Sequence, residues 1–118
     1  MRTVLRSKLH RATVTEADPD YQGSITIDAD LLRAADLAIY ERVLVANIAN
    51  GERFETYVIA GPAGSGVIGL NGAAARLGTV GDLVIIMAFG QVVGDAIAEL
   101  QPRIVLLDGQ NRVSAVHT

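Results

Sequence analysis

Arg42-Val43-Leu44-Val45-Ala46-Asn47-Ile48-Ala49-Asn50-Gly51-Glu52-Arg53-Phe54-Glu55-Thr56-Tyr57-Val58-Ile59-Ala60 reads as a β-hairpin. Residues 42–49 and 53–60 are strand-like runs rich in β-branched side chains. Asn50-Gly51 between them is the strongest short hairpin signal in the chain, because a tight reversal needs the positive backbone angles these two residues tolerate. The two runs are expected to pair antiparallel. On the second, alternation puts Arg53, Glu55 and Tyr57 on one face and turns Thr56 away from them.

The pattern continues in both directions. Downstream, Gly61-Pro62-Ala63-Gly64-Ser65-Gly66 is a connection. It lacks the Gly-Lys-Ser/Thr ending of a phosphate-cradling loop. Val67 to Leu70 is a short strand, and Asn71-Gly72-Ala73-Ala74-Ala75-Arg76-Leu77 turns into a small helix whose first amides lack internal partners. Gly81-Asp82 leads into the apolar strand Leu83 to Phe89, and Asp95 to Leu100 is a short helix ending before Pro102. Arg103 to Leu107 and Arg112 to Val116 are strands around the turn Asp108-Gly109-Gln110-Asn111. Upstream, Leu9 to Thr15 is a strand with Lys8 and His10 on one face and Leu9 and Arg11 on the other. Asp18-Pro19-Asp20 turns the chain into a strand from Tyr21 to Ile27. Asp28 or Asp30 then caps a helix through Ala35 with Leu31, Leu32 and Ala35 as its apolar face. Many short strands, two or three helical turns and no βα alternation indicate a mainly β chain that closes, or nearly closes, into a barrel.

The totals bound what such a barrel does. A chain of 118 residues, half of them hydrophobic, suits a single domain spanning 1–118 with a real core. A net charge of −3 gives no broad cationic surface for nucleic acid. Without cysteine there is neither a disulfide framework nor a thiolate metal site, no metal is expected, and a reducing cytoplasm fits. The longest apolar run, Leu83 to Phe89, falls far short of the ~20 residues of a membrane helix. The basic amino end, with Arg2, Arg6, Lys8, His10 and Arg11, has no helical apolar stripe and no secretory apolar core, so it is read as part of the fold.

The chemistry is carried by Gly23-Ser24, within Tyr21-Gln22-Gly23-Ser24-Ile25-Thr26-Ile27-Asp28. Glycine inside a strand marks a bulge, a bend or a close backbone approach. Here it also leaves its own carbonyl unshielded beside the Ser24 hydroxyl. Attack of that hydroxyl would move the acyl group from nitrogen to oxygen and turn the peptide bond into an ester. Elimination would leave dehydroalanine, and hydrolysis would release ammonia and leave a pyruvoyl group at the new amino end. A plain turn or bulge is the alternative for this dipeptide.

The segment just quoted, with Lys8-Leu9-His10-Arg11-Ala12, Asn50-Gly51-Glu52-Arg53-Phe54-Glu55-Thr56-Tyr57 and Asn71-Gly72-Ala73-Ala74-Ala75, closely resembles the pyruvoyl-dependent aspartate 1-decarboxylase family. The likeness runs from about Arg2 to Asp108. It implies a double-psi β-barrel assembled as a homotetramer, with active sites between neighbouring subunits. It implies self-cleavage between Gly23 and Ser24, giving a 1–23 β chain and a 24–118 α chain. The cofactor would be a covalent pyruvoyl group derived from Ser24, and the reaction conversion of L-aspartate to β-alanine and carbon dioxide for pantothenate synthesis. Whether processing needs a helper protein stays open. A ketone that condenses with the substrate amine gives the electrons left by decarboxylation somewhere to go, which side chains do not.

The same resemblance distributes roles. Tyr57 stands at the place of the proton donor, and a phenol suits a strongly basic carbon. Arg53 would grip a substrate carboxylate with its forked donors. Lys8, the only lysine, and His10 match positions lining the site. Gly72, Ala73 and Ala74 would contact substrate through backbone groups, with Asn71 as an orienting neighbour. Thr56 is tied to self-cleavage and to substrate contact, so the strand bulges there or Thr56 acts across another subunit boundary. Relatives carry histidine in place of Arg76, and the tail beyond Phe89 diverges. Two rival readings stand beside this one: a pyruvoyl decarboxylase of another acidic amino acid, such as glutamate, and a non-catalytic β-barrel that binds a small anion or partner protein.

Overall fold

The computed structural model describes residues 1–117. In chain order its elements are β1 (Arg2–Thr13), β2 (Glu16–Asp18), β3 (Ser24–Asp28), α1 (Ala29–Ala35), β4 (Arg42–Asn47), β5 (Arg53–Gly61), β6 (Ile68–Asn71), β7 (Leu83–Val92), β8 (Arg103–Leu107) and β9 (Val113–His117). Two 3₁₀ turns, Gly72–Arg76 and Gly94–Glu99, stand where short helices are expected.

The strands form one sheet in the order β2-β6-β3-β5-β4-β7-β1-β8-β9. Because β2 continues β1 after only Val14 and Thr15, the two ends of the run β6-β3-β5-β4-β7 meet on one stretch of chain. The sheet therefore closes into a small barrel, and β8 and β9 extend it beside β1. Each of β2 with β6 and β3 with β5 is a parallel contact, and β3 lies between β5 and β6 instead of beside its sequence neighbours. Crossed connections of this kind fit the double-psi arrangement.

The apolar residues of alternate strand positions fill the interior. Leu9, Ile25, Ile27, Val43, Val45, Val58, Ile68, Leu70, Val84 and Ile86 are buried, and Leu31, Leu32 and Ala35 of α1 cover one end. Each such side chain contributes about 1.5–3 kcal/mol by leaving water. Asp28 caps α1 as expected, its carboxylate accepting from the Asp30 N–H. The hairpin also forms as read, with Ala46 opposite Arg53 and Gly51 at φ +76° in the turn.

Four local expectations are corrected. The strand expected from Tyr21 begins at Ser24, so Gly23 lies just outside it in an exposed bend. The first strand starts at Arg2 instead of Leu9, since its basic residues sit on a ladder with β7. Arg11 does not share a face with buried Leu9: a bulge between Leu9 and Ala12 puts it at φ +65° and turns it to solvent. Asn111, expected only as a turn residue, is a buried clamp. Its side chain accepts from the Thr13 N–H and donates to the carbonyls of Thr13 and Gly66, each at 2.8 Å.

Candidate active site

Strand periodicity decides where Ser24 points. Ile25 and Ile27 of β3 face the core, so Ser24 and Thr26 lie on the other side of the sheet, and the neighbouring strands nonetheless leave Ser24 only 1% exposed. Asn71, the last residue of β6, is directly opposite Ser24 in the antiparallel ladder. Its Nδ2 donates to Ser24 Oγ at 2.8 Å and to Thr26 Oγ1 at 2.9 Å. Oγ is thereby held as an acceptor, which leaves its own hydrogen free to be given up.

Asn71 leads straight into Gly72, whose backbone adopts φ +67°. A Cβ on Gly72 would stand 2.8 Å from Gly23 Cα and 2.9 Å from Gly23 N, with Tyr21 O at 3.1 Å. The chain around Gly72 is thus packed against the backbone that precedes Ser24, and no larger residue fits between. Gly72 and Ala74 are buried and Ala73 is exposed.

On the other side of β3 runs β5. The parallel register pairs Ile25 with Val58, which brings Tyr57 level with Ser24 on the adjoining strand. Arg53, Glu55 and Tyr57 are all exposed and share a face as expected, and the Arg42 guanidinium meets Glu55 at 3.2 Å. Arg53 makes no ion pair among the described residues, and it lies four positions from Tyr57, about 13 Å along the strand. Thr56 does not bulge: the β4–β5 ladder is continuous through Val43 opposite Thr56. Thr56 therefore keeps to the opposite side from Tyr57, half-buried, and reaches only a shallow hollow that it lines with Arg42, Glu55 and Tyr57.

Lys8 and His10 are not brought to this group. They lie on β1, which is laddered to β7 and β8 and not to β3, β5 or β6, and neither hydrogen-bonds to Ser24, Asn71 or Tyr57 among the described residues. Both are half-buried. Burial, with the charges of Lys8 and Arg11 beside it, holds the His10 pKa below the ordinary histidine value. Its Nδ1 is buried without a hydrogen-bond partner among the described residues, as suits a neutral ring.

Residues that sequence reasoning left out complete the surroundings. Thr26, which shares Asn71 with Ser24, lines a cleft of about 630 Å³ together with Tyr21, Asn71, Ile59, Glu16 and Asp18. Its signal was the two-residue period from Ser24. Asp28 does more than cap α1: its buried carboxylate also accepts from the N–H groups of Gly64 (3.0 Å) and Gly66 (2.8 Å), which fixes the connection running past that cleft. Burial alone pushes this carboxyl up, but the three backbone N–H donors and the nearby Arg112 outweigh it and hold the pKa below the usual value.

A buried serine after glycine, oriented by an amide and backed by a glycine that admits no side chain, is a specific arrangement, and comparison with known proteins says whose. The family model for aspartate decarboxylase matches residues 1–114. The chain belongs to the aspartate decarboxylase family. Among its relatives, the aspartate 1-decarboxylase of Syntrophobacter fumaroxidans is 59% identical over 111 residues, covering 94% of this chain and 90% of that protein. Family membership extends over the Ser24 cluster, β5 and the Asn71-Gly72 turn alike. Among the described residues no helix is long and apolar enough to cross a membrane.

Proposed function

We infer that this protein decarboxylates L-aspartate to β-alanine and carbon dioxide, with a pyruvoyl group that it makes from its own Ser24. The observation that carries this reading is the Ser24 cluster: a nearly fully buried hydroxyl beside Gly23, held by Asn71 at 2.8 Å, in a chain of the aspartate decarboxylase family. The 59% identity to a named aspartate 1-decarboxylase favours aspartate over glutamate as substrate and an enzyme over a binding barrel.

The residues present suit the formation of that group. Ser24 Oγ bonds to the Gly23 carbonyl carbon as the Gly23–Ser24 C–N bond breaks, giving an ester and a free amine. Loss of the Ser24 α-proton expels the Gly23 carboxylate and leaves dehydroalanine. Water then replaces the nitrogen, ammonia departs, and the chain becomes 1–23 and 24–118. The Asn71 amide orients Oγ for the first step, and the absence of a side chain at Gly23 and Gly72 lets the two backbones approach. Once formed, the ketone supplies an electron sink for decarboxylation.

The other residues bind and move protons. Tyr57 serves as the donor of a proton to the substrate α-carbon from its phenol, a reading supported by its strand register level with Ser24. Arg53 takes a substrate carboxylate with paired N–H donors, and backbone groups of Gly72, Ala73 and Ala74 border the same space. With the ladder unbroken at Thr56, its part in cleavage and substrate contact falls across a subunit boundary. Within one chain Lys8 and His10 stand on β1, which does not pair with β3, and Arg53 lies about 13 Å along β5 from Tyr57. That separation supports sites shared between neighbouring subunits of a homotetramer, where one chain's Ser24 and Tyr57 meet cations of the next. A cytoplasmic place and a supply of β-alanine to pantothenate synthesis follow from the same reading, as does room for a helper protein in processing.

The test is release of carbon dioxide and β-alanine from L-aspartate by purified protein, with L-glutamate alongside. Ser24→Ala is expected to abolish both cleavage and turnover while the protein stays folded. Turnover in a verified Ser24→Ala protein would overturn the mechanism, and preference for glutamate would overturn the substrate.

A further inference from the structure

We propose that Tyr40 is a positioning residue for Tyr57, setting the orientation of that phenol through an aromatic contact made from a left-handed backbone. The inference rests on the reading of Tyr57 as proton donor. Four non-glycine residues of the described chain have positive φ: Arg11, Asp36, Tyr40 and Asn111. The other three have evident reasons. Arg11 is at a bulge of β1, Asp36 ends α1 with its N–H on the carbonyls of Arg33 and Leu32, and Asn111 is the buried clamp. Tyr40, at φ +72°, is a bulky aromatic residue in a conformation that glycine adopts freely and that a Cβ opposes. Nor does burial account for it, since its side chain is 76% exposed.

What Tyr40 does touch is Tyr57. The rings are 6.3 Å apart between centroids and tilted by 45°, the one aromatic pair among the described residues. The backbone holds this contact in place. The Tyr40 N–H donates to the Val58 carbonyl at 2.7 Å, and the Val58 N–H donates to the Glu41 carbonyl at 3.1 Å. The turn is therefore stapled to β5 at the residue immediately after Tyr57. The Tyr57 hydroxyl makes no hydrogen bond among the described residues, and its cross-strand neighbour Arg42 is engaged with Glu55. Ring contact with Tyr40 thus helps to fix the Tyr57 side chain, and the left-handed residue 40 aims the ring there. A strained residue beside a working group is the pattern expected where geometry serves function.

The strain makes the proposal testable, because stability and turnover move in opposite directions. In the processed enzyme, Tyr40→Gly suits the backbone and is expected to melt at or above the wild-type temperature. Its kcat on L-aspartate falls about two- to tenfold, with KM within about twofold of wild type. Tyr40→Phe, which keeps the ring, restores kcat. Added to Tyr57→Phe, Tyr40→Gly causes no further fall in the residual turnover, since it acts only through the Tyr57 ring and hydroxyl. Wild-type kcat in Tyr40→Gly, a melting temperature that falls with kcat, or an equal loss in the Tyr57→Phe background overturns the proposal while leaving Tyr57 as donor. Full turnover in Tyr57→Phe alone overturns the donor assignment, and the role of Tyr40 with it.

Discussion

Replacing Gly72 by alanine separates cleavage geometry from simple folding stability. The new Cβ would meet Gly23 Cα at 2.8 Å and Gly23 N at 2.9 Å, both backbone atoms with no flexible end to move aside. Two costs combine. Holding alanine at φ +67° costs about 1–2 kcal/mol, and the overlap adds about 1–3 kcal/mol unless the backbone shifts. The shift that relieves the overlap moves Gly23 away from Ser24 Oγ, and a displacement near 1 Å costs roughly a hundredfold in a reaction that depends on approach. Gly51→Ala is the control: its φ is +76°, yet nothing lies within 4 Å of the new Cβ. It carries the backbone cost alone. The assay follows the intact chain and the two fragments by mass over time, with thermal melts of both variants. Gly51→Ala is expected to process at the wild-type rate and Gly72→Ala about a hundredfold slower. Wild-type processing in Gly72→Ala would refute the claim that the Gly72 backbone holds the scissile peptide in place.

Asn71→Ala removes the donor shared by Ser24 and Thr26, leaves two hydroxyls without it, and costs about 1–3 kcal/mol of stability. Slower cleavage in timed mass spectra is expected to accompany the lowered melting temperature. Arg53→Gln is expected to lower kcat/KM for L-aspartate about 10- to 100-fold by losing a charge-assisted contact, without slowing cleavage; steady-state kinetics on fully processed protein decides this. Asp28 has a folded pKa below its unfolded value, so its stabilising contribution is complete above the ordinary carboxylate range and is lost as pH falls through the folded value. Melting temperatures between about pH 6 and 3 are expected to drop on acidification, with a shallower drop in Asp28→Asn.

The parts of this protein that were legible in its sequence are those set by local periodicity and turn chemistry. Asn50-Gly51 marked the hairpin, Leu31, Leu32 and Ala35 marked the buried side of α1, and alternation from Arg53 to Tyr57 gave the shared face. Short motifs also located Ser24, Asn71 and Gly72, and the fold packs these together. What local pattern did not carry was long-range. Nothing near Asp28 in sequence indicates that its carboxylate also holds Gly64 and Gly66, more than thirty-five residues on. The Asn111 clamp on Thr13 spans 98 positions. Strict alternation failed at Arg11, where a bulge is set by the register with β7. At Thr56 alternation held: of the two expectations, a bulge or action across a subunit boundary, the unbroken ladder removes the bulge. That Lys8 and His10 stand on a strand that does not pair with the strand of Ser24 is likewise a property of strand order, which local pattern does not carry.

The central claim is that the chain makes its own ketone at Ser24, and the mass of the purified, denatured protein tests it most directly. The account predicts two fragments, one ending at Gly23 and one beginning at position 24 with the mass of a pyruvoyl end group. A single intact chain that persists after prolonged warming, yet still turns over L-aspartate, would contradict it.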